Sequence, residues 1–126
     1  GWLLWGGSAG TWRWQVNATT QIFSTSAMVA NTWTFVAGTF DGATMRLYVN
    51  GVQEATGAAT WATDAVARLG DASRAGGSFW NGLLDDVRIY NRTLTASEIQ
   101  SDMNTPIGVI PTGLAANVSV TVATQP

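Results

Sequence analysis

Thr32-Trp-Thr-Phe-Val-Ala-Gly-Thr-Phe40 leads through Asp41-Gly42 into Met45-Arg-Leu-Tyr-Val49, and through Asn50-Gly51 into Val52-Gln-Glu-Ala55. This stretch reads as a three-stranded antiparallel meander. Asn-Gly between two alternating runs favours a type I′ turn, because both central residues need positive φ, and Asp-Gly-Ala suits a slightly longer connection. In the middle strand Met45, Leu47 and Val49 fall on one side, and Arg46 and Tyr48 on the other, so one side is expected to be core and the other half solvated. Trp33 lies inside the first of these runs and is expected in the core.

Outward from the meander, the same rhythm of short apolar runs and turn residues continues. Residues 2–5, 11–16, 21–24 and 27–30 read as strands, and Trp12 and Trp14 share one face of theirs. Downstream, residues 66–69 form a further short run. Residues 70–78 hold three Gly and no hydrophobic residue larger than Ala, as a surface loop does. The run 79–90 reads as a strand again. Thr95-Ala-Ser-Glu98 is a capping box ahead of Ile99 and Met103, and Pro106 prevents continuation, so one short helix is expected there. Residues 115–123 alternate like another strand behind a Pro- and Gly-containing linker. Strands at this spacing specify an all-β fold, an antiparallel β-sandwich of the jelly-roll kind with one short C-terminal helix.

The composition narrows the chemistry. The chain has 126 residues, enough for one core, with 46% hydrophobic and 11% charged residues and a net charge of −2. All six basic residues are Arg and none cluster, so no footprint for a phosphate backbone exists and no nucleic-acid partner is expected. Absence of Cys and His removes thiolate and imidazole chemistry together. No run approaches the roughly 18 apolar residues of a membrane span, so none is expected.

The block of residues 31–51, followed by Gly82-Leu-Leu-Asp-Asp-Val-Arg-Ile-Tyr-Asn-Arg-Thr-Leu-Thr-Ala-Ser-Glu-Ile99, resembles the laminin-G-like jelly-roll domain of the concanavalin A-like lectin/glucanase group. The resemblance covers residues 1–104, as the C-terminal two thirds of such a domain, and leaves residues 105–126 as a linker and the start of a following strand or domain. It implies strands ahead of Trp2, one of which would lie beside the strand at residues 83–90. It further implies an extracellular or surface-exposed setting, in a secreted protein or on a virion, and a non-catalytic role. That role is recognition of a carbohydrate or other cell-surface ligand within a larger protein. The alternative is a structural module that spaces or joins neighbouring domains or subunits of an adhesin, filament or virion without binding glycan.

Site candidates emerge from residue type and position. Seven Trp in 126 residues is a high count, and an indole face stacks well on the apolar face of a pyranose ring. Trp61 and Trp80 flank loops, with Asp64 and Asn81 as nearby polar partners, and these four residues are the ligand-binding candidates. The competing reading has both rings capping the core. Asp85 and Asp86 interrupt an apolar strand, where alternation turns Asp85 toward the apolar side and makes its charge costly. Hydrogen bonds from backbone or Arg would compensate it. So would calcium, which the resemblance implies for some members and which takes oxygen ligands. The resemblance implies that related glucanases use paired carboxylates alternating on one strand; no such pair occurs here, with Glu54 and Glu98 isolated from one another, so no enzymatic activity is expected. Asn17, Asn91 and Asn117 each begin an Asn-x-Ser/Thr triplet.

Overall fold

The computed structural model describes residues 2–6, 9–17, 19–61 and 79–108. Six strands and one helix run in the order β1 (Trp2–Gly6), β2 (Thr11–Val16), β3 (Thr20–Ala27), β4 (Val36–Phe40), β5 (Thr44–Val49), β6 (Val52–Ala58) and α1 (Ala96–Met103). Short connections make each set of three strands an antiparallel meander, giving the sheets β1-β2-β3 and β4-β5-β6. The sheets pack face to face as a β-sandwich of the jelly-roll class. Trp14, Val16, Met45, Leu47 and Ala59 form its buried centre, flanked by Leu4, Trp12, Ile22, Val36, Phe40 and Ala55.

Trp14 sets the separation of the sheets at the centre. Its ring lies so close to β4 that a Cβ on Gly38 would fall 2.4 Å from an indole carbon, and its Nε1 donates to the Thr39 carbonyl at 3.1 Å. Glycine at position 38 is therefore a packing requirement. The predicted meander is present, with Asn50 at φ 48 and Gly51 at φ 77 in the β5–β6 turn, as a type I′ turn demands.

Several expectations need correction. Trp33 is neither in a strand nor in the core, being 65% exposed. The ladder pairs Val36 with Val49, and the chain closes just beyond it, where Asn50 N–H donates to Phe35 O at 2.8 Å. Residues 32–34 run past the point where β5 turns and pair with no strand among the described residues. Tyr48, expected on a half-solvated face, is buried, and its hydroxyl donates to Gln53 Oε1 at 3.2 Å. The two runs at 21–24 and 27–30 are in fact the single strand β3 and the start of the loop after it. Thr11 faces Ala27 while Arg13 faces Phe23, so β3 bulges between them. Ser24 fills the gap, its Oγ accepting from Trp12 N–H at 2.9 Å and donating to Ser26 O at 2.7 Å.

The capping box forms as expected. Glu98 N–H donates to Thr95 Oγ1 while Thr95 N–H donates to Glu98 Oε2. Ile99 is the buried anchor of α1, and a side chain at Gly51 would meet Gln100 and Met103. Residues 83–90 form no ladder with the described strands, and Asp86 takes φ 49, which breaks strand geometry there. Leu83, Leu84, Val87 and Ile89 are exposed. The runs expected at 66–69 and 115–123 and the loop at 70–78 lie outside the described residues.

Candidate functional site

Trp61 lies just past the end of β6 and stacks on Phe40, with ring centroids 5.9 Å apart and planes 17° apart. Trp80 stacks on Trp12 at 5.9 Å and 29°, and its Nε1 donates to Leu83 O at 3.3 Å. Phe40 and Trp12 both rest on the buried centre of the sandwich, so each candidate ring has one face against the core side. Trp61 nevertheless stays 52% exposed and Trp80 39%. Each ring thus caps the core side with one face while part of its indole surface stays open to solvent. Among the described residues the two tryptophans do not stack on each other, each being seated on a different ring. Asn81 is exposed beside Trp80, and Asp64 lies outside the described residues.

A second constellation is not apparent in the sequence. Strand register aligns Trp5 with Arg13 and Arg13 with Phe23 across all three strands of the first sheet. The adjacent row on that face aligns Leu3, Gln15 and Gln21. By alternation this is the face turned away from Trp12, Trp14 and Val16. The Arg13 guanidinium carbon sits 3.8 Å from the Trp5 ring centroid and 5.8 Å from that of Phe23, within cation–π range. One guanidinium nitrogen donates to Gln21 Oε1 at 2.8 Å. Burial against this surface lowers the Arg13 pKa from its ordinary value. The Trp-Arg-Trp alternation of β2 is the available signal, since it places Arg13 opposite the core tryptophans. Its aromatic neighbours come from pairing, which the sequence of β2 alone does not contain.

Among the described residues the carboxylates are mostly engaged in structure. Asp41 Oδ1 accepts from Ala43 and Thr44 N–H, and Oδ2 pairs with Arg46 at 2.8 Å. Arg46 first, and these backbone donors second, hold Asp41 down at about 2. Arg92 at 2.8 Å, followed by the Thr95 donors, does the same for Glu98, also to about 2. Both lie below their ordinary values of 3.8 and 4.5, so the stabilisation they contribute is present above pH 4.5 and is lost as pH falls toward 2. The double variant Asp41→Asn with Glu98→Gln is expected to flatten the fall in stability across that window. Urea midpoints measured from pH 6 to pH 2 check this; an unchanged slope would remove both pairs from the acid response.

Asp85 and Asp86 are both exposed, so the cost that alternation assigns to Asp85 is not incurred. Asp85 Oδ1 accepts from Asp86 N–H at 2.8 Å, and Asp86 Oδ1 accepts from Ile107 N–H at 3.1 Å. Calcium takes six to eight oxygen ligands, and the described residues contain no group of three or more Asp, Glu, His or Cys suited to a metal. The described residues therefore do not fit a calcium site by themselves. Asn17 is also committed internally. It takes φ 63, and its Nδ2, the atom a glycan would require, donates to Thr60 O at 2.8 Å.

Two antiparallel meanders packed around a tryptophan-centred core make an all-β sandwich. The chain belongs to the concanavalin A-like lectin/glucanases superfamily, its Laminin_G_3 family model matching residues 1–100. A solved structure of an S-layer domain-containing protein (residues 221–444) from Clostridium thermocellum is similar, at 25% identity and a TM-score of 0.56 over 75% of this chain. The chain spans about half of that domain, 52% of its length. No curated protein matches. No described helix is long and apolar enough to cross a membrane.

Proposed function

We propose that residues 1–104 belong to a non-catalytic carbohydrate-recognition module of a larger secreted or surface protein, with residues 105–126 as a linker and the start of the next strand or domain. The observation that carries this reading is the seating of Trp61 and Trp80: each is fixed by a ring behind it and presents substantial indole surface to solvent. A pre-oriented aromatic loses little conformational freedom on binding, which is the property of an affinity anchor. Membership of the superfamily supports recognition, and similarity to an S-layer domain-containing protein supports a surface setting.

Catalysis is not part of the proposal. A glycosidase needs two carboxyl groups placed on either side of the bond to be cut. Glu54 accepts from Thr25 and Ser26, Asp102 accepts from Tyr90, and Asp41 and Glu98 are held by arginines. The second reading, a module that joins subunits or domains, is favoured by the exposed apolar side chains of Leu83, Leu84, Val87 and Ile89.

A glycan array probed with the chain, once in calcium and once in chelator, tests the proposal. Trp61→Ala and Trp80→Ala are each expected to weaken the best glycan about 30-fold, the effect of removing about 2 kcal/mol at an aromatic anchor. Binding that survives in chelator would remove calcium from the account. Absence of any glycan binding would transfer the function to the joining module.

A further inference from the structure

Three of the four described arginines have a carboxylate partner: Arg46 has Asp41, Arg88 has Asp102 and Arg92 has Glu98. Arg13 has none among the described residues. Its guanidinium carbon sits over the Trp5 ring with Phe23 on the neighbouring strand, and its Nε is buried without a hydrogen-bond partner. Its described side-chain hydrogen bond runs from one terminal guanidinium nitrogen to Gln21, and no described hydrogen bond engages the other terminal nitrogen. A cation stripped of part of its water, with no anion supplied in return, is a position where an external anion gains most.

The surroundings select the kind of anion. Trp5 backs the guanidinium, so the plane of its donors is fixed, and a fixed planar fork matches a carboxylate through two parallel hydrogen bonds. Phe23 is 43% exposed and offers a ring face in the same row. The next row carries the carboxamides of Gln15 and Gln21. Gln15 uses its nitrogen on Asn17 O, and Gln21 uses its oxygen on Arg13. An oxygen acceptor on one and a nitrogen donor on the other remain for hydroxyl groups. A carboxylate, an apolar ring face and hydroxyls at neighbouring spacing are the three features of a uronic acid residue. Three strands about 4.8 Å apart make this face a shallow strip, open to a chain lying across it.

We propose that the outer face of β1–β2–β3 binds an acidic polysaccharide, with Arg13 taking the carboxylate of a uronic acid unit, Phe23 its ring, and Gln15 and Gln21 its hydroxyls. The inference rests on the recognition reading and adds a site and a ligand class to it. Titration calorimetry with oligogalacturonate, the neutral oligogalactan of comparable length, and poly-glutamate tests it. Oligogalacturonate is expected to bind at least tenfold more tightly than either control, and to weaken as salt rises. Arg13→Met keeps an unbranched apolar chain between Trp5 and Phe23, and with an unchanged melting temperature it is expected to lose at least tenfold in oligogalacturonate affinity. Arg13→Lys is expected to recover only part of that loss, because it restores the charge without the planar fork. Equal binding of poly-glutamate would overturn the proposal in favour of unspecific anion attraction. So would an Arg13→Met variant that binds normally. Binding of the neutral sugar alone would overturn it while leaving the recognition reading intact; binding of no sugar in either this assay or the array would overturn both.

Discussion

Alanine at position 38 is expected to lower the stability of the fold by about 3 kcal/mol, the upper range for forcing extra volume into a packed core. The added carbon would lie 2.4 to 2.7 Å from three atoms of the Trp14 ring. That ring cannot retreat cheaply. It is 5% exposed, and movement would break the Nε1 bond to Thr39 O and leave a buried donor unpaired. Urea unfolding of Gly38→Ala measures the cost directly. Repeating the substitution in a Trp14→Leu background isolates the contact, where the penalty should shrink by at least half. A cost below about 1 kcal/mol in the original background would mean that β4 yields more readily than its register implies.

Loss of the Glu54 carboxylate is expected to cost about 2–3 kcal/mol, since charge-assisted hydrogen bonds contribute more than neutral ones. Glu54 stands at the register shift of β6, between the Leu47–Ala55 and Tyr48–Gln53 pairs. The bulge of β3 presents the backbone N–H groups of Thr25 and Ser26, which donate to Oε2 at 2.9 and 2.8 Å. The Thr25 hydroxyl also donates to Oε2, and that of Ser26 to Oε1. Two irregularities on different sheets thus satisfy each other through one side chain. Burial alone would raise the Glu54 pKa, but the Ser26 and Thr25 donors hold it below the ordinary 4.5. A group with a lowered folded pKa stabilises above its unfolded value and stops doing so as pH falls through the folded one. Glu54→Ala should therefore be weakened most at neutral pH, with the gap to the parent closing in acid. Glu54→Gln, which keeps one acceptor oxygen without the charge, should fall between the two. Chemical denaturation at pH 7 and pH 3 gives both numbers; equal losses at the two pH values would assign the effect to shape alone.

Local chemistry accounts for the parts of the fold that are legible in sequence. The β5–β6 turn is written in Asn50-Gly51, two residues that tolerate positive φ, and α1 is written in Thr95 and Glu98, three residues apart. Trp33 misleads because its neighbours alternate like a strand. Whether a strand continues depends on where its partner turns, and that information sits seventeen residues away at Asn50. The bulge in β3 resembles a turn because Ser24, Thr25 and Ser26 have turn composition, whereas their polar groups actually serve Glu54 and Trp12. For the site, Trp61 and Trp80 are visible as loop-flanking aromatics, but the Phe40 and Trp12 rings behind them come from distant strands. Arg13 is invisible for the same reason: its meaning lies in Trp5 and Phe23, which reach it across the sheet.

The β5–β6 turn carries a consequence for the chemical ageing of the protein. Asn-Gly is the dipeptide most prone to spontaneous deamidation, because the nitrogen of a glycine is unhindered as it attacks the preceding carboxamide to form a cyclic imide. Here the Asn50 carboxamide oxygen accepts from Phe35 N–H at 3.1 Å, and the Asn50 backbone N–H donates to Phe35 O. The side chain must leave Phe35 before the ring can close, so the intact end of the meander shields its most labile bond. Deamidation becomes a clock for local opening: each conversion of Asn50 records an episode in which the hairpin end came apart.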